Sequence, residues 1–140
     1  MATRTLRQAK QRQHIGGDVI LDVVFEHGLL FLAIRNIGAR PVTAVSVSFD
    51  QPVVGLGGTR EVSAMPLFRR VEFLAPGREI RTLLDSAASY FARGQPERIA
   101  SRITYRDERG RSRTIATHHD LGIYKAIAYV AETPHLRGGT

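Results

Sequence analysis

Residues 29–50 read LLFLAIRNIGARPVTAVSVSFD, and the alternation within them decides the fold. The first half puts Leu30, Leu32 and Ile34 on one face and Leu29, Phe31 and Ala33 on the other. Beyond the Asn36-Ile37-Gly38 break and Pro41, Val45, Val47 and Phe49 alternate with Ser46 and Ser48. A period of two, with one apolar and one polar side, predicts a strand that buries one face and wets the other. Asn36 and Gly38 both tolerate left-handed backbone, so the two strands are expected to meet at a sharp turn. Pro41 suits the start of the second strand.

Working outward, the same pattern recurs. Asp18 to Phe25 alternates Val19, Leu21 and Val23 with Ile20, Asp22 and Val24, and Glu26-His27-Gly28 is a tight connection back to Leu29. Asp50 to Met65 holds a short edge strand at Val53-Val54 and a glycine-rich loop, Gly55-Leu56-Gly57-Gly58. That loop superficially resembles a phosphate loop but lacks the GK[ST] ending and leads into no helix, so it reads as a flexible or packed loop. Pro66 to Leu74 is expected to contain a strand, with Phe68, Val71 and Phe73 as its apolar positions. Ala75-Pro76-Gly77 is a turn with proline and glycine in its central positions, followed by a strand over Arg78 to Leu84.

Asp85-Ser86 opens a single helical turn near residues 86–92, with Asp85 as its cap and Gly94 as its stop. In a sandwich this segment crosses between sheets, with Tyr90 or Phe91 plugging the core. Glu97–Arg106 and Arg111–Asp120 form the clearest hairpin, turning at Asp107-Glu108-Arg109-Gly110. Ile99, Ser101, Ile103 and Tyr105 share one face; Arg98, Ala100, Arg102, Thr104 and Arg106 share the other. Tyr124 leads into YKAIAYVAE, a short helix or a last strand. The expectation is one all-β domain built as a two-sheet sandwich over residues 18–124. A basic arm (1–17) precedes it and a C-terminal extension (125–140) follows.

The chain has 140 residues and no cysteine, so disulfides, thiolate metal sites and cysteine nucleophiles are excluded. Twenty Lys and Arg against 13 Asp and Glu give a net charge of +7. Lys10 and Lys125 are the only lysines; the other cations are arginine, a flat fork suited to carboxylates and phosphates. An arginine-rich genome gives the same bias without functional meaning. Arg4, Arg7, Lys10 and Arg12 give the arm a charge of +4 ahead of Asp18. It reads either as a solvated arm or as one that docks on something acidic. No apolar run approaches the roughly 18 residues that span a bilayer, and the N-terminus has no secretory apolar segment. A cytoplasmic location is the default expectation.

Three motifs together resemble bacterial immunoglobulin-like modules of the CARDB kind. They are IRNIGARPVTAVSVSFD (residues 34–50), FLAPGREIRTLLD (73–85) and TYRDERGRSRT (104–114). The resemblance implies an immunoglobulin-like sandwich of about seven strands, serving as an adhesion, scaffolding or protein-binding unit. It implies no shared catalytic set, and so no functional residue is carried over. The basic arm and the segment after Tyr124 lie outside the module.

Candidate chemistry is sparse. His118-His119-Asp120 is the best metal cluster, yet neighbours on a strand point to opposite faces. Only His118 and Asp120 share a side, and a third ligand would have to come from His27, His14 or His135. No G-x-S-x-G elbow exists. Asp50, Asp85, Asp107 and Asp120 fall at strand ends and turns, where aspartate caps backbone N–H groups. The sequence therefore predicts no enzyme, no cofactor and no metal. It predicts a non-catalytic accessory or structural subunit docking into a larger protein assembly or homo-oligomer. The candidate partner-binding residues are Arg4, Arg7, Lys10 and Arg12 on the arm, Arg98, Arg102 and Arg106 on one strand face, and Arg109, Arg111 and Arg113 around the hairpin. The alternative is a nucleic-acid-binding module using the same cations, against which aromatic side chains are few.

Overall fold

The computed structural model describes residues 18–127; the basic arm, and residues 128–140 of the C-terminal extension, lie outside the described residues. In chain order the strands are β1 (Val19–Glu26), β2 (Leu29–Asn36), β3 (Val42–Phe49), β4 (Val54–Gly55), β5 (Arg60–Glu61), β6 (Val71–Leu74), β7 (Glu79–Ser86), β8 (Arg98–Arg106) and β9 (Ser112–Asp120). Two short helices, α1 (Pro66–Arg69) and α2 (Ala87–Ala92), precede β6 and β8. A three-stranded sheet of order β1-β2-β7 packs on a four-stranded sheet of order β6-β3-β8-β9. Every pairing is antiparallel, and β4-β5 forms a separate ribbon. This is the expected seven-stranded, immunoglobulin-like sandwich.

The alternation read from residues 29–50 is the alternation of the core. Leu30, Leu32 and Ile34 from β2 meet Val45, Ile99 and Ile103 from the opposite sheet, all fully buried. Each such side chain contributes on the order of 2 kcal/mol on leaving water. Phe49 is half-buried and packs edge-on against Phe68, with ring centroids 5.1 Å apart. Val42 and Val45 both point inward although three residues apart. The spacing works because β3 carries a bulge against β8, with Ala44 at φ 51°, and a bulge resets the side-chain parity.

The connections follow from particular side chains. His27 (φ 50°) and Gly28 (φ 76°) make the β1–β2 turn with positive φ at both central positions, the geometry that matches the twist of a hairpin. The sharp turn expected at Asn36-Ile37-Gly38 forms without left-handed backbone at either Asn36 or Gly38. Asn36 is fully buried. Its Nδ2 donates to the carbonyls of Arg40 (2.8 Å) and Leu74 (3.0 Å), and its Oδ1 accepts from the Gly38 N–H (2.9 Å). One side chain thus closes the turn and ties β2 to β6 across the sandwich. Gly38 is needed for space: a Cβ there would sit 2.7 Å from the Asp18 carboxylate.

Two expectations are corrected. Pro66–Arg69 is a helical turn, with proline at its first position, where a missing N–H costs nothing. Phe68 is buried from this helix, whereas Phe73 of β6 is 61 % exposed. The α2 cap is Ser86, whose hydroxyl accepts from the Ser89 N–H at 3.1 Å. Asp85 is instead buried in an ion pair with Arg93. The crossover helix itself stands as read. Tyr90 fills the core, donates its hydroxyl to the Pro96 carbonyl, and has its pKa pushed up to about 12, chiefly by burial. Among the described residues no helix is long and apolar enough to cross a membrane.

Candidate functional site

The outer face of the four-stranded sheet collects the exposed cations of β8. Ile99, Ser101, Ile103 and Tyr105 point into the core, so Arg98, Arg102 and Arg106 point out, and all three are exposed. They recur every four residues, about 13 Å apart along the strand. Their cross-strand neighbours on β9 are Asp120, Ala116 and Ser112, and on β3 Arg102 and Arg106 stand beside Ser48 and Thr43. Thr104 and Thr114 face each other between them. Arg102 and Arg106 therefore rise from a floor of small side chains, while Asp120 and His118 flank Arg98. Among the described residues no carboxylate pairs with Arg98, Arg102 or Arg106.

The hairpin arginines behave differently. Asp107 accepts the backbone N–H groups of Arg109 and Arg111, both at 2.9 Å. Its carboxylate also lies 3.4 Å from the guanidinium groups of Arg111 and of Arg113. Backbone and side-chain donors together hold this carboxyl below its ordinary range. Arg113 pairs in register with the inward-facing Tyr105, so it leaves the opposite face of β9 from the Arg106 row. Arg98, Arg102 and Arg106 form one stripe; Arg111 and Arg113 are a separate cluster organised by Asp107, and Arg109 sits exposed at the tip. Arg4, Arg7, Lys10 and Arg12 lie outside the described residues.

Reading the sequence missed one member of this face. Phe73 stands in the row Phe73–Thr43–Arg106–Ser112 across the sheet, on the solvent side. The signal was present: Phe68 to Val71 is a step of three, which breaks the strand period. At the other end of the face, Asp50, Ala100, Arg102, Ala116 and His118 line an open recess of about 310 Å³.

The remaining candidates resolve into structure. His118 and Asp120 point outward and His119 inward, as alternation requires. Asp120 accepts the Gly122 N–H at 2.9 Å and so caps the turn over Leu121–Ile123. No group of three potential metal ligands gathers among the described residues. Each Asp85 carboxylate oxygen lies 3.3 Å from the Gly57 backbone N–H. The glycine loop is therefore packed against an anion of the protein itself.

No curated protein matches this sequence. A family model described as a domain of unknown function (DUF8453) matches residues 1–125. The chain belongs to that family.

Proposed function

We propose that this chain is a non-catalytic interaction module. It docks as an accessory or structural subunit into a larger protein assembly through the outer face of the four-stranded sheet, in the cytoplasm. One observation carries the reading: Arg98, Arg102 and Arg106 stand exposed in a row without carboxylate partners among the described residues, with exposed Phe73 on the same face, two strands from the last of them across Thr43. Arginine and aromatic side chains are the types enriched at the centres of protein interfaces. The small side chains between them let a partner approach closely. The resemblance to immunoglobulin-like binding modules supports the same role, and the basic arm is a second candidate contact.

The test is affinity capture with mass spectrometry from the native host. The triple variant Arg98→Glu, Arg102→Glu, Arg106→Glu is compared with wild type and with Arg60→Glu, which reverses a charge on the β4-β5 ribbon. The expected result is a protein partner retained by wild type and Arg60→Glu and lost from the triple variant. Recovery of the same partners with all three proteins would defeat the reading.

Phe73 also favours a second reading, a nucleic-acid-binding module, because single-strand binders pair a basic groove with stacking rings. It is one ring against three arginines, so protein docking is preferred. The second reading requires binding that weakens steeply with salt, and a gel-shift titration with no retention at low salt removes it.

A further inference from the structure

Among the described residues the four-stranded sheet ends on β9 with a long open edge. At one end of the β8–β9 ladder the Asp107 N–H donates to the Arg111 carbonyl (2.9 Å), and at the other the Leu121 N–H donates to the Glu97 carbonyl (2.6 Å). Both bonds use odd-numbered residues on the β9 side. By antiparallel alternation the odd residues of β9 bond to β8. Ser112, Thr114, Ala116, His118 and Asp120 then turn their N–H and C=O groups away from it, and all five are exposed. Among the described residues no strand pairs with β9 on that side.

The other edges are short or occupied. β6 has four residues. The β4 loop packs on β7 so closely that a Cβ on Gly55 would lie 1.9 Å from the Leu84 carbonyl oxygen. On β1, the Val23 carbonyl accepts from the Tyr124 hydroxyl at 3.5 Å. A protein manages its edges by such devices, and an open edge is a template for another strand.

We propose that the free edge of β9 takes up an extended, acidic segment of a partner protein as a fifth strand of this sheet. The inference rests on the outer face being the docking surface, and it specifies how the partner is held. Ala116 and Ser112, the β9 neighbours of Arg102 and Arg106, are small. Nothing bulky on β9 therefore stops either guanidinium from extending toward a strand laid beside it, about 10 Å from β8. Glutamate or aspartate at alternate positions of that strand faces them, while its backbone completes the ladder. A second copy fits poorly, because its own Arg102 and Arg106 would arrive at the same place.

The probe is an acetylated, amidated nine-residue peptide alternating valine and glutamate, titrated into ¹⁵N-labelled full chain with amide exchange as the readout. The expected result is new protection at Ser112, Thr114, Ala116, His118 and Asp120. The valine–lysine peptide, and the valine–glutamate peptide N-methylated at every residue, should fail to bind. Ala116→Pro removes one outward N–H without touching the β8 ladder and should weaken binding at least tenfold. Arg102→Glu with Arg106→Glu should abolish the preference for glutamate over lysine. Absence of protection on β9, protection by the N-methylated peptide, or protection that grows with protein concentration alone overturns the edge proposal. If Ala116→Pro binds like wild type while the arginine variants fail, the face docks partners and the added strand is wrong. If the arginine variants keep full glutamate preference, the docking face is wrong as well.

Discussion

Arg93, just past the end of α2, reaches back to pair with Asp85 at the end of β7, a residue only 5 % exposed. The same carboxylate accepts the Ser86 N–H at 2.8 Å. The guanidinium also donates to the Val54 carbonyl at 3.2 Å. One ion pair thus fastens the crossover helix, the edge of the three-stranded sheet and the β4 loop together. Removing one partner of a buried pair strands the other charge. Arg93→Ala is expected to cost about 3 kcal/mol in urea unfolding, with Arg93→Lys intermediate because lysine lacks the planar fork. A loss below about 0.5 kcal/mol, the scale of an ordinary surface change, would mean that the pair holds nothing.

The two phenylalanines near β6 should separate cleanly. Phe68→Ala removes a buried ring and is expected to cost about 3–5 kcal/mol. Phe73→Ala, on an exposed ring, should stay within about 0.5 kcal/mol in the same unfolding experiment. Equal losses would place both rings in the core and remove Phe73 from the docking face.

Glycines of the β4 loop give a second contrast. Gly55→Ala drives a methyl into the Leu84 carbonyl and should destabilise by about 3 kcal/mol, lifting the loop from β7. Gly57 has φ 69° with open space around its Cβ position, so Gly57→Ala pays only the left-handed strain of about 1 kcal/mol. Thermal unfolding of the two variants checks the order, and the reverse order would contradict the packing described.

His119 provides the pH dependence. Burial lowers its pKa from the ordinary 6.5, while Asp22 and the Leu21 carbonyl pull it up and His118 pushes it down. Its Nε2 is buried without a hydrogen-bond partner among the described residues. The unfolded chain therefore takes up the proton first as pH falls. The stabilisation is complete above the unfolded value near 6.5 and is lost as pH drops below it toward the folded pKa. Urea midpoints at pH 7.5 and 5.5 should differ more for wild type than for His119→Asn, which keeps a donor for Leu21 but does not titrate. An identical drop in both proteins would assign the effect elsewhere.

Much of the fold was legible because it rests on local alternation. The hairpins at residues 18–36 and 97–120 follow from period two plus turn chemistry, but the addition of β7 to β2 and of β3 to β8 joins strands far apart in the chain and was not readable. What escaped was set by contacts distant in sequence or by broken parity. Val42 and Val45 share a face only through the bulge at Ala44. Asp85 and Ser86 are equally good caps by type, and only the partner at Arg93 decides which is buried. The arginine stripe of β8 was readable from spacing. The separation of Arg111 and Arg113 from it was not, because it depends on Asp107 bending back to both.

The docking face is tested most directly by a photo-crosslinking residue in place of Thr104, at the centre of the four-stranded sheet's outer side, with the same residue in place of Val24 on the other sheet as control. Irradiation in the native host is expected to give a discrete protein adduct from position 104 and none from 24. Adducts from 24 alone, or from neither position, would contradict the account.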